Sequence, residues 1–149
     1  MGKLSSPQAA LLGGLIAGTI DIGAAALING RSPLLICRFI AGGLLGRGAL
    51  DAGAWVVALG LGLQWAMSIA IAAIYVLAGE RLQALRRNWA LFGVLYGVSV
   101  YFVMEYVVVP LSAWRRFPTF EPLSFAENMA AMMLFGLIVA FFASRIRAG

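Results

Sequence analysis

The chain has 149 residues, 62 % of them hydrophobic and only 11 % charged, with a formal charge of +5 and a mean hydropathy of +0.94. A soluble core of this size cannot hide that much apolar surface. There is no histidine and one cysteine, Cys37; this excludes histidine-held haem, histidine acid–base catalysis, a Ser-His-Asp triad, a zinc site of the usual Cys/His kind and an internal disulfide for the chain acting alone.

The first apolar run, 8–29, is long enough to cross a bilayer, since a spanning helix needs roughly 20 mostly apolar residues. Asp21 argues that it is a retained span, because a carboxylate inside the apolar part of a cleaved leader would weaken insertion. Gly14 and Gly18 form a small-residue pair one helical turn apart, a surface that lets another helix approach closely. Asp21 lies on the same stripe and is therefore expected to face the bundle interior.

The segment 33–50 is shorter and more charged, with Arg38, Arg47 and four glycines. It reads as an interfacial or re-entrant piece with both arginines at lipid-headgroup level, and a fifth span is the alternative. The second long run, 52–79, is expected to start at Asp51 as its N-cap. Gly60, Gln64, Ser68 and Tyr75 fall on one narrow stripe of that helix.

A third run, 88–112, is bracketed by Trp89 and Trp114, both expected to anchor at the membrane interface. It carries a second glycine pair, Gly93 and Gly97, and then Tyr101 and Glu105 one turn apart, ahead of Pro110, which should loosen the helix. The last run, 125–144, follows Ser124 and Glu127, which have capping-box spacing, and is closed by Arg145 and Arg147, where cations complement the helix dipole. It contributes Asn128.

The sequence thus predicts an all-α integral membrane protein forming one domain, with spans near 8–29, 52–79, 88–112 and 125–144. Its expected polar interior holds Asp21, Gln64, Ser68, Tyr101 and Glu105, with Asn128 nearby. Gly14, Gly18, Gly93 and Gly97 are the expected helix-packing positions, and Arg38 and Arg47 the expected headgroup contacts. With four spans, Lys3, Arg81, Arg86, Arg87, Arg145 and Arg147 share one side, and Arg31, Arg38, Arg47, Arg115 and Arg116 the other. That slight bias places both termini in the cytoplasm.

The order Gly13-Gly14-Leu15-Ile16-Ala17-Gly18, then Arg31-Ser32-Pro33 with a glycine-rich amphipathic segment, then Gly93-Val94-Leu95-Tyr96-Gly97 running to Pro110-Leu111, resembles bacterial inner-membrane proteins of the YagU-like kind. The resemblance implies a small polytopic inner-membrane protein and brings no catalytic residue. Related proteins often carry histidine where this chain has Gln64-Trp65, so a histidine-dependent role does not transfer.

Three function classes follow. An accessory or scaffolding subunit would join a membrane partner, or a second copy, through its small-residue faces. A small transporter or channel would handle a proton, a cation or a small molecule at Asp21 and Glu105, because an ionisable group inside a span is costly and usually functional. An intramembrane enzyme is the weakest, since no nucleophile and base are discernible. The expected partners are bilayer phospholipid and another membrane protein, with no nucleic acid, metal or cofactor; the basic residues lie outside the runs or at their ends, as headgroup contacts do.

Overall fold

The computed structural model describes residues 2–117 and 119–147, and among these the chain is helical without any β-strand. Helix α1 is Ser6–Asn29, α2 is Pro33–Leu45, α3 is Trp55–Arg81, α4 is the short Gln83–Arg87, α5 is Trp89–Leu111 and α6 is Pro122–Ser144. Four of them, α1, α3, α5 and α6, are long and apolar enough to cross a membrane, with mean hydropathies of 1.8 to 1.9. At 13 residues, α2 extends about 20 Å, short of the ~30 Å hydrocarbon core. Four spans plus one shorter helix is therefore the architecture.

Local chemistry sets the ends of these helices. A capping box starts α1: the Ser5 side chain accepts from the Gln8 N–H, and the Gln8 side chain accepts from the Ser5 N–H at 3.0 Å. Gly30 ends α1 with φ 59°, a left-handed conformation open to glycine at little steric cost, and Arg31 returns its N–H to Ala26. Ser32 caps α2 by accepting from the Leu35 N–H at 3.3 Å, and Pro33 opens that helix with its fixed φ.

Two expected caps are not formed. Asp51 lies at the end of a 3₁₀ turn, Arg47–Leu50, and α3 begins four residues later with Ala54 as its N-cap. Ser124 and Glu127 lie inside α6, because Pro122 starts that helix earlier; the Ser124 hydroxyl accepts from the Asn128 side chain instead. Arg145 does follow the last turn of α6, where its guanidinium stacks over Phe141 at 4.9 Å.

The expected glycine contacts exist, each pair with a neighbour of its own. Gly14 and Gly18 of α1 lie against Ile69 and Ser68 of α3, where an added Cβ would come within 2.5 Å of the Ile69 Cα or the Ser68 hydroxyl. Gly93 and Gly97 of α5 instead meet Ala140 and Met132 of α6, where Gly136 also crosses. The two glycine pairs do not meet each other, and both work within the chain. A third close crossing joins Gly60 of α3 to the Cys37 backbone of α2.

Packing runs α2 on α3, α3 on α1, α1 on α6 and α6 on α5. The half of the bundle nearest the chain ends is closed by Ala9, Ala17, Ala72, Tyr75, Val76, Phe135, Val139 and Ala140. At that end Leu4 pairs with Ile146 in an isolated bridge, and the Ser6 hydroxyl donates to Glu80. Helix α5 touches α3 mainly through aromatic rings: Tyr96 stacks 5.0 Å from Tyr75 and donates its hydroxyl to the Ile71 carbonyl at 2.6 Å. Along its length α5 packs chiefly on α6.

Candidate functional site

A cavity of about 160 Å³ lies in the opposite half of the bundle, bordered by α1, α3, α5 and α6. Its lining includes Asp21 from α1, Gln64 and Ser68 from α3, Tyr101 and Glu105 from α5, and Asn128 from α6. All six polar residues anticipated for the interior therefore border one space. They lie at the same level: Asp21 precedes the end of α1 by roughly 12 Å along the axis, and Glu105 precedes the end of α5 by roughly 9 Å.

The stripe on α3 explains half of the site. Gly60 lets α2 approach, Gln64 and Ser68 are 7 % and 2 % exposed, and Tyr75 is buried beneath them, so the 3.6-residue repeat turns one polar row inward. Gln64 directs its amide nitrogen to the Asp21 carboxylate at 2.9 Å and to the Gly18 carbonyl at 3.3 Å. The close approach of Gly18 to Ser68 makes this reach short enough.

Pro110 shapes the α5 side. It has no N–H for the carbonyl four residues earlier, and the helix widens into a π turn over Met104–Val108, with the Val109 N–H returning to Met104. Glu105 sits in that turn. The sequence signalled the loosening at Pro110; the extra residue per turn, which re-aims Glu105, had no separate signal.

The site's hydrogen-bonding is lopsided. The Gln64 amide nitrogen is occupied by Asp21 and Gly18, and the Asn128 amide nitrogen by the Ser124 carbonyl at 2.8 Å and the Ser124 hydroxyl at 3.2 Å. Their amide oxygens, by contrast, have no protein donor among the described residues. Tyr75 and Tyr96 both donate to backbone carbonyls, whereas the Tyr101 hydroxyl, on a side chain 7 % exposed, has no hydrogen-bond partner among the described residues. Glu105 likewise has no ion pair or hydrogen bond there. Among the described side chains lining the cavity acceptors outnumber free donors, and the Arg116 guanidinium acts on the Glu105 charge from nearby without forming an ion pair.

No three His, Cys, Asp or Glu side chains come together as a metal site among the described residues. The expected headgroup arginines divide. Arg47 is exposed. Arg38 is turned inward: one guanidinium nitrogen donates to the carbonyl of Ala49 at 3.4 Å and to that of Ala52, closing the 3₁₀ turn. Trp114 also departs from a simple interfacial anchor, since its indole N–H donates to the Phe39 carbonyl at 2.9 Å and its ring covers Gly42.

A second cavity, of about 390 Å³, adjoins the first and shares Asp21, Ala25, Gln64, Met67 and Met104 with it. Its remaining lining, from α1, α2, α3 and the end of α5, is almost wholly aliphatic. No pattern in the sequence signals it, because it depends on where α2 docks.

Fold and site together define a small polytopic all-α membrane protein with an acidic, acceptor-rich cavity inside the bundle. Comparison of the chain with protein-family models, curated proteins and solved structures finds no match. The chemistry of the cavity therefore carries the functional reading.

Proposed function

We propose that this protein binds a small cation or a proton at Asp21 and Glu105 and carries it across the membrane. The supporting observation is that two carboxylates within spanning helices, Asp21 and Glu105, border one cavity in which the Gln64 and Asn128 amide nitrogens are already bonded. Placing an aspartate at the centre of a span costs about 2.5–3.5 kcal/mol on insertion scales and less toward its ends, and two in-span carboxylates bordering one cavity call for a compensating role. The pocket lies in one half of the bundle, above a packed floor at Tyr75, Tyr96 and Phe135, so the reading is of one-sided binding with an alternating opening, not of a continuous pore. No enzymatic step is assigned.

The accessory-subunit reading has less support. Gly14, Gly18, Gly93 and Gly97, the faces it would use to join a partner or a second copy, are occupied within the chain. The proposed setting is the bacterial inner membrane with both termini cytoplasmic. The resemblance to YagU-like proteins supports the membrane, and the slight excess of basic residues on the side of the termini supports their orientation.

Proteoliposomes test the proposal. Under an inside-negative potassium diffusion potential, wild-type protein should admit protons, read by a trapped pH dye, or radiolabelled methylammonium; Asp21→Asn and Glu105→Gln should each lower the active flux at least ten-fold. Flux at the level of empty liposomes for both cations, or variants as active as wild type, would refute it.

A further inference from the structure

Beside the carboxylates lies the larger aliphatic cavity, and the two spaces meet at Asp21, Ala25, Gln64, Met67 and Met104. A guest whose charge sits at the carboxylates is thus next to about 390 Å³ of space bounded by residues such as Ile36, Ile40, Leu63 and Val108. A bare inorganic cation uses none of that space. Water gains little there either, since a buried water needs several polar partners and this lining offers few.

The polar end is a built site as well as an acidic one. Tyr101, 7 % exposed, borders it with a hydroxyl that has no hydrogen-bond partner among the described residues. Gln64, equally buried, borders both spaces, and its amide oxygen remains free once its nitrogen has bonded Asp21 and Gly18. An ammonium group, with several N–H donors and one positive charge, meets each of these demands.

We propose that the ligand is an alkylammonium amphiphile, its ammonium head between Asp21 and Glu105 and its hydrocarbon tail in the aliphatic cavity between α2, α3 and the end of α5. This rests on the cation-site reading above and adds the substrate class. Charge complementarity fixes the head, and the shared residues fix the direction in which the tail leaves.

Gly43 gives a clean test of the tail. It borders the aliphatic cavity, and a Cβ added there would meet only the Ser112 Cβ, at 3.7 Å, an ordinary contact. Gly43→Leu should therefore fold and fill the space. Gly62, on α3, has open space around it, so Gly62→Leu adds the same bulk elsewhere. Leu63→Trp, from the facing helix, serves as a second filling variant.

Titration calorimetry of the protein in lipid nanodiscs, with empty nanodiscs as reference, compares octylammonium with methylammonium. Wild-type and Gly62→Leu protein should bind octylammonium at least ten-fold more tightly than methylammonium. Gly43→Leu or Leu63→Trp should remove that advantage, and Asp21→Asn with Glu105→Gln should remove binding of both. Equal affinity for the two amines, or an octyl advantage that survives both filling variants, overturns the tail assignment and leaves the cation site standing. Binding of neither amine by wild-type protein overturns both.

Discussion

Gly60→Ala and Gly62→Ala differ by two positions on one helix and should move stability in opposite directions. In a helix interior alanine is favoured over glycine by roughly 1 kcal/mol, and both substitutions receive that gain. Gly62 faces open space, so nothing offsets it. At Gly60 the new Cβ would lie against the Cys37 carbonyl and 3.0 Å from the Cys37 Cα. Those are backbone atoms, which no rotamer change can move away. Overpacking of this kind costs about 1–3 kcal/mol, and a backbone-on-backbone clash belongs at the upper end. The net expectation is a loss of about 2 kcal/mol for Gly60→Ala, against a gain of up to about 1 kcal/mol for Gly62→Ala. Reversible unfolding in mixed detergent micelles, followed by tryptophan fluorescence, reads the difference. Equal midpoints for the two variants would refute the docking of α2 on α3 through Gly60, and with it the aliphatic cavity that α2 walls.

Further outcomes follow from single contacts. Tyr96→Phe removes the hydroxyl that bonds the Ile71 carbonyl and should cost ~0.6–1.7 kcal/mol in the same unfolding assay, as interhelical hydrogen bonds in membranes do. Ser5→Ala removes the α1 cap and should cost about 1 kcal/mol, whereas Ser124→Ala, inside α6, should cost less. Pro110→Ala restores an N–H to α5; it should return the π turn to regular helix, swing Glu105 off the cavity, and lower methylammonium uptake several-fold without lowering stability.

Hydrophobic run length made the four spans legible, and the 3.6-residue period made the inward row of α3 legible, because both are one-dimensional properties of the chain. Convergence of Asp21, Gln64, Ser68, Tyr101, Glu105 and Asn128 followed once each polar residue faced inward at a similar depth. Partner choice was not legible. A glycine pair announces a close crossing and not its partner, so Gly14 and Gly93 could not be assigned to α3 and α6.

Caps were misread where two signals competed. Pro122 set the start of α6 ahead of the Ser124 and Glu127 pattern, while Ser5 and Gln8 carried the same pattern in its glutamine form and did form the box. Arg38 turned inward because the carbonyls of Ala49 and Ala52 lie within its reach, a fact of the 3₁₀ turn that charge counting cannot register.

Charge-selective labelling at Asn128 tests the acidic cavity most directly. In a Cys37→Ala background, Asn128→Cys places a thiol on the cavity wall and keeps both carboxylates. The account predicts that a cationic methanethiosulfonate, added from the side opposite the chain termini, reacts at least ten-fold faster than an anionic one, and that Asp21→Asn with Glu105→Gln abolishes the preference. Equal rates for the two reagents with both carboxylates present, or a thiol inert to both, would contradict it.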